Sequence, residues 1–259
     1  MSENPVKVRL AAGGVALGMN VRLARSGDVA RIAKSSGHDF LFIDMQHGLY
    51  DAQTVGHIAH TALGCGVAPL VRVRSCDDPN TALLLDNGVT GIVFPDINTS
   101  AEAQRGVDRA KFAPVGKRSV GGAFPHFDYE PLPVGEATVG INDLTLVVCM
   151  VETREGLENV EAIAAVDGVD VVHVGSNDLL LDMGMPGQFG SPEHVAAIDR
   201  VIEACAANGK VAGLGGERDL ARQVDFIRKG TRFVTTQTDL RFLQLAATNH
   251  TASLREALG

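Results

Sequence analysis

Aromatic residues are scarce, at 5% of the chain, and basic residues are outnumbered: 23 Lys and Arg face 31 Asp and Glu, a formal charge of -8. Nucleic-acid recognition draws on a basic surface and on aromatic stacking, so this composition argues against it. Paired cysteines are missing too. Cys65, Cys76, Cys149 and Cys205 form no CxxC spacing, which excludes a zinc ribbon or a disulfide frame and fits reduced core thiols of a cytoplasmic protein. No apolar run approaches the roughly 20 residues of a membrane span. The stretch LAAGGVALG behind Lys7 and Arg9 looks superficially like a signal peptide, but Gly13 and Gly14 break it, and a first strand is the expected structure. The sequence shows no disordered linker or domain boundary, and no GxGxxG follows the first predicted strand.

What is present is a regular alternation. At 259 residues and 45% hydrophobic content, the chain has the length of one α/β barrel. Short apolar, β-rich runs fall at residues 15–19, 40–45, 69–73, 91–94, 146–151, 169–174, 210–214 and 232–236. Helical periodicity fills the gaps at 28–36, 52–63, 79–87, 100–111, 154–165, 192–208, 217–229 and 240–258. Asp78-Pro79 and Ser191-Pro192 read as an N-cap followed by proline, and Thr99-x-x-Glu102 as a capping box. Eight strands alternating with helices predict a single (β/α)8 TIM barrel over residues 1–259, with a doubly wound open sheet as the alternative. Residues 114–143 break the rhythm: prolines and the cluster Phe124, Phe127 and Tyr129 suggest a lid or subunit contact, with helix only near its end.

The organising stretch is 146–178, LVVCMVETREGLENVEAIAAVDGVDVVHVGSND. An apolar strand ends at Glu152, a helix capped by Thr153 follows, and a second apolar strand ends in a glycine turn at Asp178. Adjacent parallel strands put both ends on one rim, so the two carboxylates can converge on a divalent cation that keeps sites open for water and substrate. N-capping or ion pairing is the plainer reading of either one alone.

Other strand ends add chemistry. His47, beside Asp44, has a side chain suited to proton transfer at neutral pH. Arg72 can face the charge that develops on a carbonyl oxygen as an enolate forms. The turn Gly175-Ser176-Asn177-Asp178 opens a helix whose backbone amides can hold a carboxylate. A capping or core role for His47, and an ion pair of Arg72 with Asp44 or Asp96, are the structural alternatives.

Taken together, FLFIDMQHGLYD, PLVRVRSCDDP, LLLDNGVTGIVFPDINTSAEA, APVGKRSVGG, VETREGLENVEAIAAVDGVD and VGSNDLLLDMG resemble the metal-dependent class II pyruvate aldolases. The type is that acting on 4-hydroxy-2-oxoheptanedioate and 2-dehydro-3-deoxyglucarate, within the aldolase/citrate lyase superfamily. The resemblance implies a barrel whose last helix is exchanged between subunits of a homohexamer, built as a trimer of dimers. It makes Glu152 and Asp178 the ligands of Mg²⁺, Mn²⁺ or Co²⁺, His47 the proton-handling histidine and Arg72 the arginine on the 2-oxo acid carbonyl. It makes Asp86 a carboxylate reaching a neighbouring subunit's histidine, Asn177 and Asp178 donors of amides to the substrate carboxylate, and Asp44 a neighbour of the cation. Three departures stand out. Met150 replaces a glutamine two residues before the glutamate ligand, Gln46 replaces a glutamate before the histidine, and Gly215 replaces a larger aliphatic residue, which is expected to leave room for a bulkier substrate.

The expected function is reversible cleavage of a 4-hydroxy-2-oxo acid to pyruvate, or a close analogue, and an aldehyde. Alternatives are decarboxylation of an oxaloacetate-like acid, cleavage of a malyl- or citramalyl-thioester, and a barrel that binds a 2-oxo acid without turnover. No nucleic-acid or membrane partner is expected.

Overall fold

The computed structural model describes residues 3–259. Eight parallel strands close on themselves in chain order: β1 (Ala16–Val21), β2 (Phe40–Asp44), β3 (Ala68–Arg72), β4 (Gly91–Phe94), β5 (Leu146–Val151), β6 (Val171–Gly175), β7 (Val211–Gly215) and β8 (Phe233–Thr238). The helices are α1 (Pro5–Ala11), α2 (Asp28–Ser35), α3 (Ala52–Cys65), α4 (Thr81–Asp86), α5 (Ser100–Ala110), α6 (Val134–Leu144), α7 (Arg154–Glu158), α8 (Val160–Ala164), α9 (Ser176–Asp182), α10 (Pro192–Ala207), α11 (Leu220–Lys229) and α12 (Asp239–Leu258). The expected (β/α)8 barrel is therefore the fold. Among the described residues no helix is long and apolar enough to cross a membrane.

The period of two along each strand sorts the core into two shells. Phe40, Phe42, Leu70, Leu146, Val148, Met150, Val171 and Phe233 fill the barrel interior. Their neighbours, such as Leu41, Ile43, Val147, Cys149 and Val172, face outward and pack with the helices. The alternation continues to the rim. Leu146, Val148 and Met150 point inward, so the next inward position of that stave is Glu152, just past the strand end.

Several local expectations are corrected. The strand expected at 15–19 begins at Ala16, but the helix before it was not expected: Leu10 and Ala11 end α1, which proline starts and Asn4 caps by accepting from Val6 N at 3.0 Å. Val6 closes the lower end of the barrel, and Asn4 Nδ2 donates to Leu144 O at 2.8 Å. Pro79 does not begin a helix, because the Asp78 carboxylate binds Arg74 N and Asn80 N and holds a turn that delays α4 to Thr81. The 154–165 helix divides at Asn159, whose side chain donates to Asn98 O at 2.8 Å. The 217–229 helix starts only at Leu220, for Glu217 Oε1 draws Arg218 N and Asp219 N into a turn first. The irregular segment contains a 3-10 turn, Pro125–Phe127, and all three turns of α6.

Thr153, Ser191 and Thr99 do cap their helices, and the Thr99–Glu102 box is complete in both directions. All four cysteines are free. α12 is unlike the rest. Asp239 fixes its start by accepting from Arg22 N, Leu23 N and Ala24 N, yet none of its 20 residues is buried, Leu243 and Leu254 included.

Candidate active site

A cavity of ≈ 340 Å³ opens at the C-terminal mouth of the barrel. It is lined by Asp44, His47, Arg72, Met150, Glu152, Ser176, Asn177, Asp178 and Gly215, among others. Most of the site expected from sequence is therefore brought together. A smaller neighbouring hollow adds Gln46 and Asp96 and shares His47, Glu152 and Asp178.

Register places the first pair. Asp44 and Arg72 end adjacent strands directly opposite each other, and the guanidinium grips the carboxylate with both edges, Nη2 to Oδ2 at 2.7 Å and Nε to Oδ1 at 3.1 Å. Asp44 Oδ1 also accepts from Gln46 N and His47 N, each at 3.1 Å, which fixes the backbone that carries His47. Burial pushes the Asp44 carboxyl up, but the Arg72 fork and the His47 amide outweigh it and hold it below the ordinary carboxylate range. The ion-pair reading of Arg72 is thus correct as far as it goes. Its Nη1 is directed toward Met150 Sδ, 4.0 Å away, along the cavity wall.

Glu152 is almost wholly buried, at 2% exposure. Oε1 accepts from Asp96 N at 2.9 Å, an amide aimed by a left-handed Asp96 backbone (φ 53). Oε2 is buried without a partner among the described residues. Burial, reinforced by the Asp96 and Asp178 charges, pushes the Glu152 carboxyl up to about 7. Gly175 is required beneath it, since a Cβ there would lie 2.3 Å from Oε2. A buried carboxylate oxygen with no partner among the described residues, in a cavity shared with a second carboxylate, is a donor set that fits a hard divalent cation. Among the described residues no cluster of three or more His, Cys, Asp or Glu that could hold a metal ion forms, so Glu152 and Asp178 are the two side chains here that would hold one.

Gln46 Nε2 donates to Asp96 Oδ2 at 3.4 Å, and its own Oε1 is buried and unpartnered. Ser176 Oγ is likewise buried and unpartnered. Asp86 lines neither hollow. It lies on α4, where Arg118 Nη2 donates to it at 2.5 Å.

Several residues of the mouth were missed in the sequence, Asn20 and Arg22 among them, and two shape the cavity most. His173 follows Val171 on the inward face of β6 and sits at 1% exposure, edge-on to Phe233 at 5.5 Å. Its period-two position was the signal available. Burial pushes it down to about 3, helped by the Arg72 and Arg218 charges, so the ring is neutral. The room that Gly215 was expected to leave is taken by this ring: a Cβ on Gly215 would lie 2.5 Å from His173 Nε2, and one on Gly213 2.5 Å from Nδ1. The second residue, Arg218, was placed inside a predicted helix. The turn that Glu217 organises instead brings it into the cavity wall.

Residues 18–244 match the family model described as HpcH/HpaI aldolase/citrate lyase. The 4-hydroxy-4-methyl-2-oxoglutarate aldolase of Chaetomium globosum is 38% identical over 251 residues, covering 95% of this chain and 93% of that protein. A hydroxypyruvate/pyruvate aldolase of Cupriavidus necator is 33% identical, with 98% and 94% covered. The crystal structure of an HpcH/HpaI aldolase from Desulfitobacterium hafniense superposes with a TM-score of 0.91 at 28% identity, covering 96% of each chain.

Proposed function

The chain belongs to the HpcH/HpaI aldolase/citrate lyase family, and from that premise we propose how its barrel mouth works. The protein is a carbon–carbon lyase that reversibly cleaves a 4-hydroxy-2-oxo acid to pyruvate and an aldehyde. The reading is carried by one observation: Glu152, with an unpartnered buried oxygen, shares a cavity with Asp178, Arg72 and His47.

Glu152 and Asp178 would hold a divalent cation, Mg²⁺, Mn²⁺ or Co²⁺. Bound there, it supplies Lewis-acid stabilisation of the 2-oxo acid's oxygens. Arg72, held by Asp44, presents its Nη1 edge to the C2 oxygen as negative charge develops on it. The amides of Asn177 and Asp178 at the start of α9 take the C1 carboxylate, with the Ser176 hydroxyl beside them. Met150 closes the wall with a thioether that accepts weakly and donates nothing. His47 removes the proton of the 4-hydroxyl, the C3–C4 bond breaks, C4 becomes the aldehyde carbonyl, and the enolate takes a proton at C3 to give pyruvate.

Asp86 orients His47 from a neighbouring subunit, which accounts for its absence from this chain's own mouth. The whole chain acts as one barrel domain in the cytoplasm. The bare apolar face of α12 supports its exchange between subunits of a homohexamer, a trimer of dimers. Chelation should abolish pyruvate release, and Mg²⁺, Mn²⁺ or Co²⁺ should restore it. A covalent adduct trapped by borohydride in the presence of substrate would reject the assignment, as would failure to exchange the methyl protons of pyruvate. Light scattering of the purified protein measures the assembly.

A further inference from the structure

The loop after β1 is held from both sides. Three successive amides, Arg22 N, Leu23 N and Ala24 N, donate to the Asp239 carboxylate at 2.8–3.1 Å. The carbonyls of the same three residues all accept from Arg25 Nη1, at 2.9–3.1 Å. Arg25 rests over the Tyr50 ring, 3.8 Å from its centroid, and Tyr50 Oη donates to Ala24 O at 2.8 Å. Arg22 and Leu23 are exposed, and an exposed loop ordinarily leaves such groups to water and stays mobile. Here every main-chain polar group of residues 22–24 has a protein partner, so the loop is fixed.

What it carries is the Arg22 side chain, which lines the cavity. Nη2 donates to His47 O at 3.3 Å, and Nε stands 3.4 Å from Asp44 Oδ2. Asp44 Oδ1 already accepts from His47 N. Both main-chain groups of His47 are therefore held, the amide by Asp44 and the carbonyl by Arg22. Asp239 is the first residue of α12, the helix that buries none of its 20 residues against its own chain. An unbroken series of contacts thus runs from the start of α12 through Asp239 to the loop, from the loop to Arg22, and from Arg22 to His47.

We propose that Asp239 and Arg22 are positioning residues for the reaction. Asp239 sets the loop after β1 according to where α12 lies, and Arg22 holds the His47 main chain so that the ring meets the substrate hydroxyl. The seating of α12 thereby controls turnover. This rests on the lyase reading above and adds a control of that same site.

The test uses the full-length, cation-loaded protein with 4-hydroxy-2-oxoglutarate. Arg22→Met keeps the stem and removes the donors; it should lower kcat for pyruvate release about 10-fold, as a small displacement of a reacting group does, with pyruvate affinity unchanged. Arg22→Lys should recover part of the loss. Asp239→Asn should lower kcat in the same way, and its loss should not add to that of Arg22→Met. In a His47→Ala background, Arg22→Met should cost nothing further on the residual rate. Full additivity there overturns the proposal, because a merely structural Arg22 would weaken the protein whether or not His47 is present.

Hydrogen exchange read by mass spectrometry gives the same comparison without turnover. Asp239→Asn should speed exchange in residues 44–50 as well as in 22–24, and acceleration confined to 22–24 and 239–258 overturns the link. Should that variant not fold, Arg22→Met, at an exposed position, tests the step to residues 44–50 by the same measurement. If the wild-type protein releases no pyruvate, the lyase reading fails instead, and exchange in 44–50 alone decides whether α12 and the His47 segment are joined.

Discussion

The two ends of the barrel obey different rules. At the lower end, polar groups that enter the core find partners: Asn4 binds Leu144 O, Lys111 Nζ donates to Asn142 O at 2.6 Å and Thr145 O at 2.5 Å, and Asp170 accepts from Val147 N at 2.8 Å. Away from the mouth the exceptions among the described residues are Thr231 Oγ1, His194 Nε2 and Nε and Nη1 of Arg118, whose Nη2 holds Asp86. At the mouth, Glu152 Oε2, Ser176 Oγ, Gln46 Oε1 and His173 Nδ1 are all buried without partners among the described residues. An unsatisfied buried group costs about 1–3 kcal/mol, so several lining one cavity are groups that a ligand there can complete. The lower end is built for stability and the upper end for an occupant.

Exchanging effects between the ends would break that division. Glu152→Gln should lower kcat/KM for pyruvate formation by about three orders of magnitude or more. The cation-free protein should melt at the same temperature or higher, since burial already disfavours the charged form; a large fall in melting temperature would show that Glu152 is part of the frame. Phe40→Ala, which removes a ring stacked 4.3 Å from Phe233 below the mouth, should cost about 3–5 kcal/mol in denaturant unfolding. KM should stay near its native value, and a KM effect larger than the stability effect would merge the two ends.

His173 sharpens the boundary through pH. In the unfolded chain it binds a proton near pH 6.5, whereas in the fold it stays neutral down to about 3. Stability should therefore fall as pH drops from 6.5 toward 3, by up to about 1.4 kcal/mol per unit for this one proton. His173→Phe should flatten the slope by that proton, and an unchanged slope would place the acid sensitivity elsewhere.

The barrel was legible because buried parallel strands are apolar on both faces. Residues 91–94 and 146–151 were bounded as observed, and Glu152 followed directly as the next polar residue of its stave. Other features depend on tertiary choices. α1 was hidden by its two following glycines and by a plug role that no local pattern encodes. Arg218 was hidden because helix periodicity extends back through it, while a side-chain turn at Glu217 wins the competition for the backbone. His173 was hidden by sitting among valines in a strand where a lone histidine carries no signal of its own. The 240–258 helix was read from its period, yet its apolar face meets nothing within the chain.

The bare inner side of β7 has a consequence for anyone reshaping this enzyme. Gly213 and Gly215 are the sockets into which the imidazole of the neighbouring strand folds, so position 215 is not an independent dial on substrate size. Any side chain introduced there evicts the ring, and the displaced ring must move against Phe42 or Phe233. Redesign of the pocket has to treat residues 173, 213 and 215 as one unit, changed together or left alone.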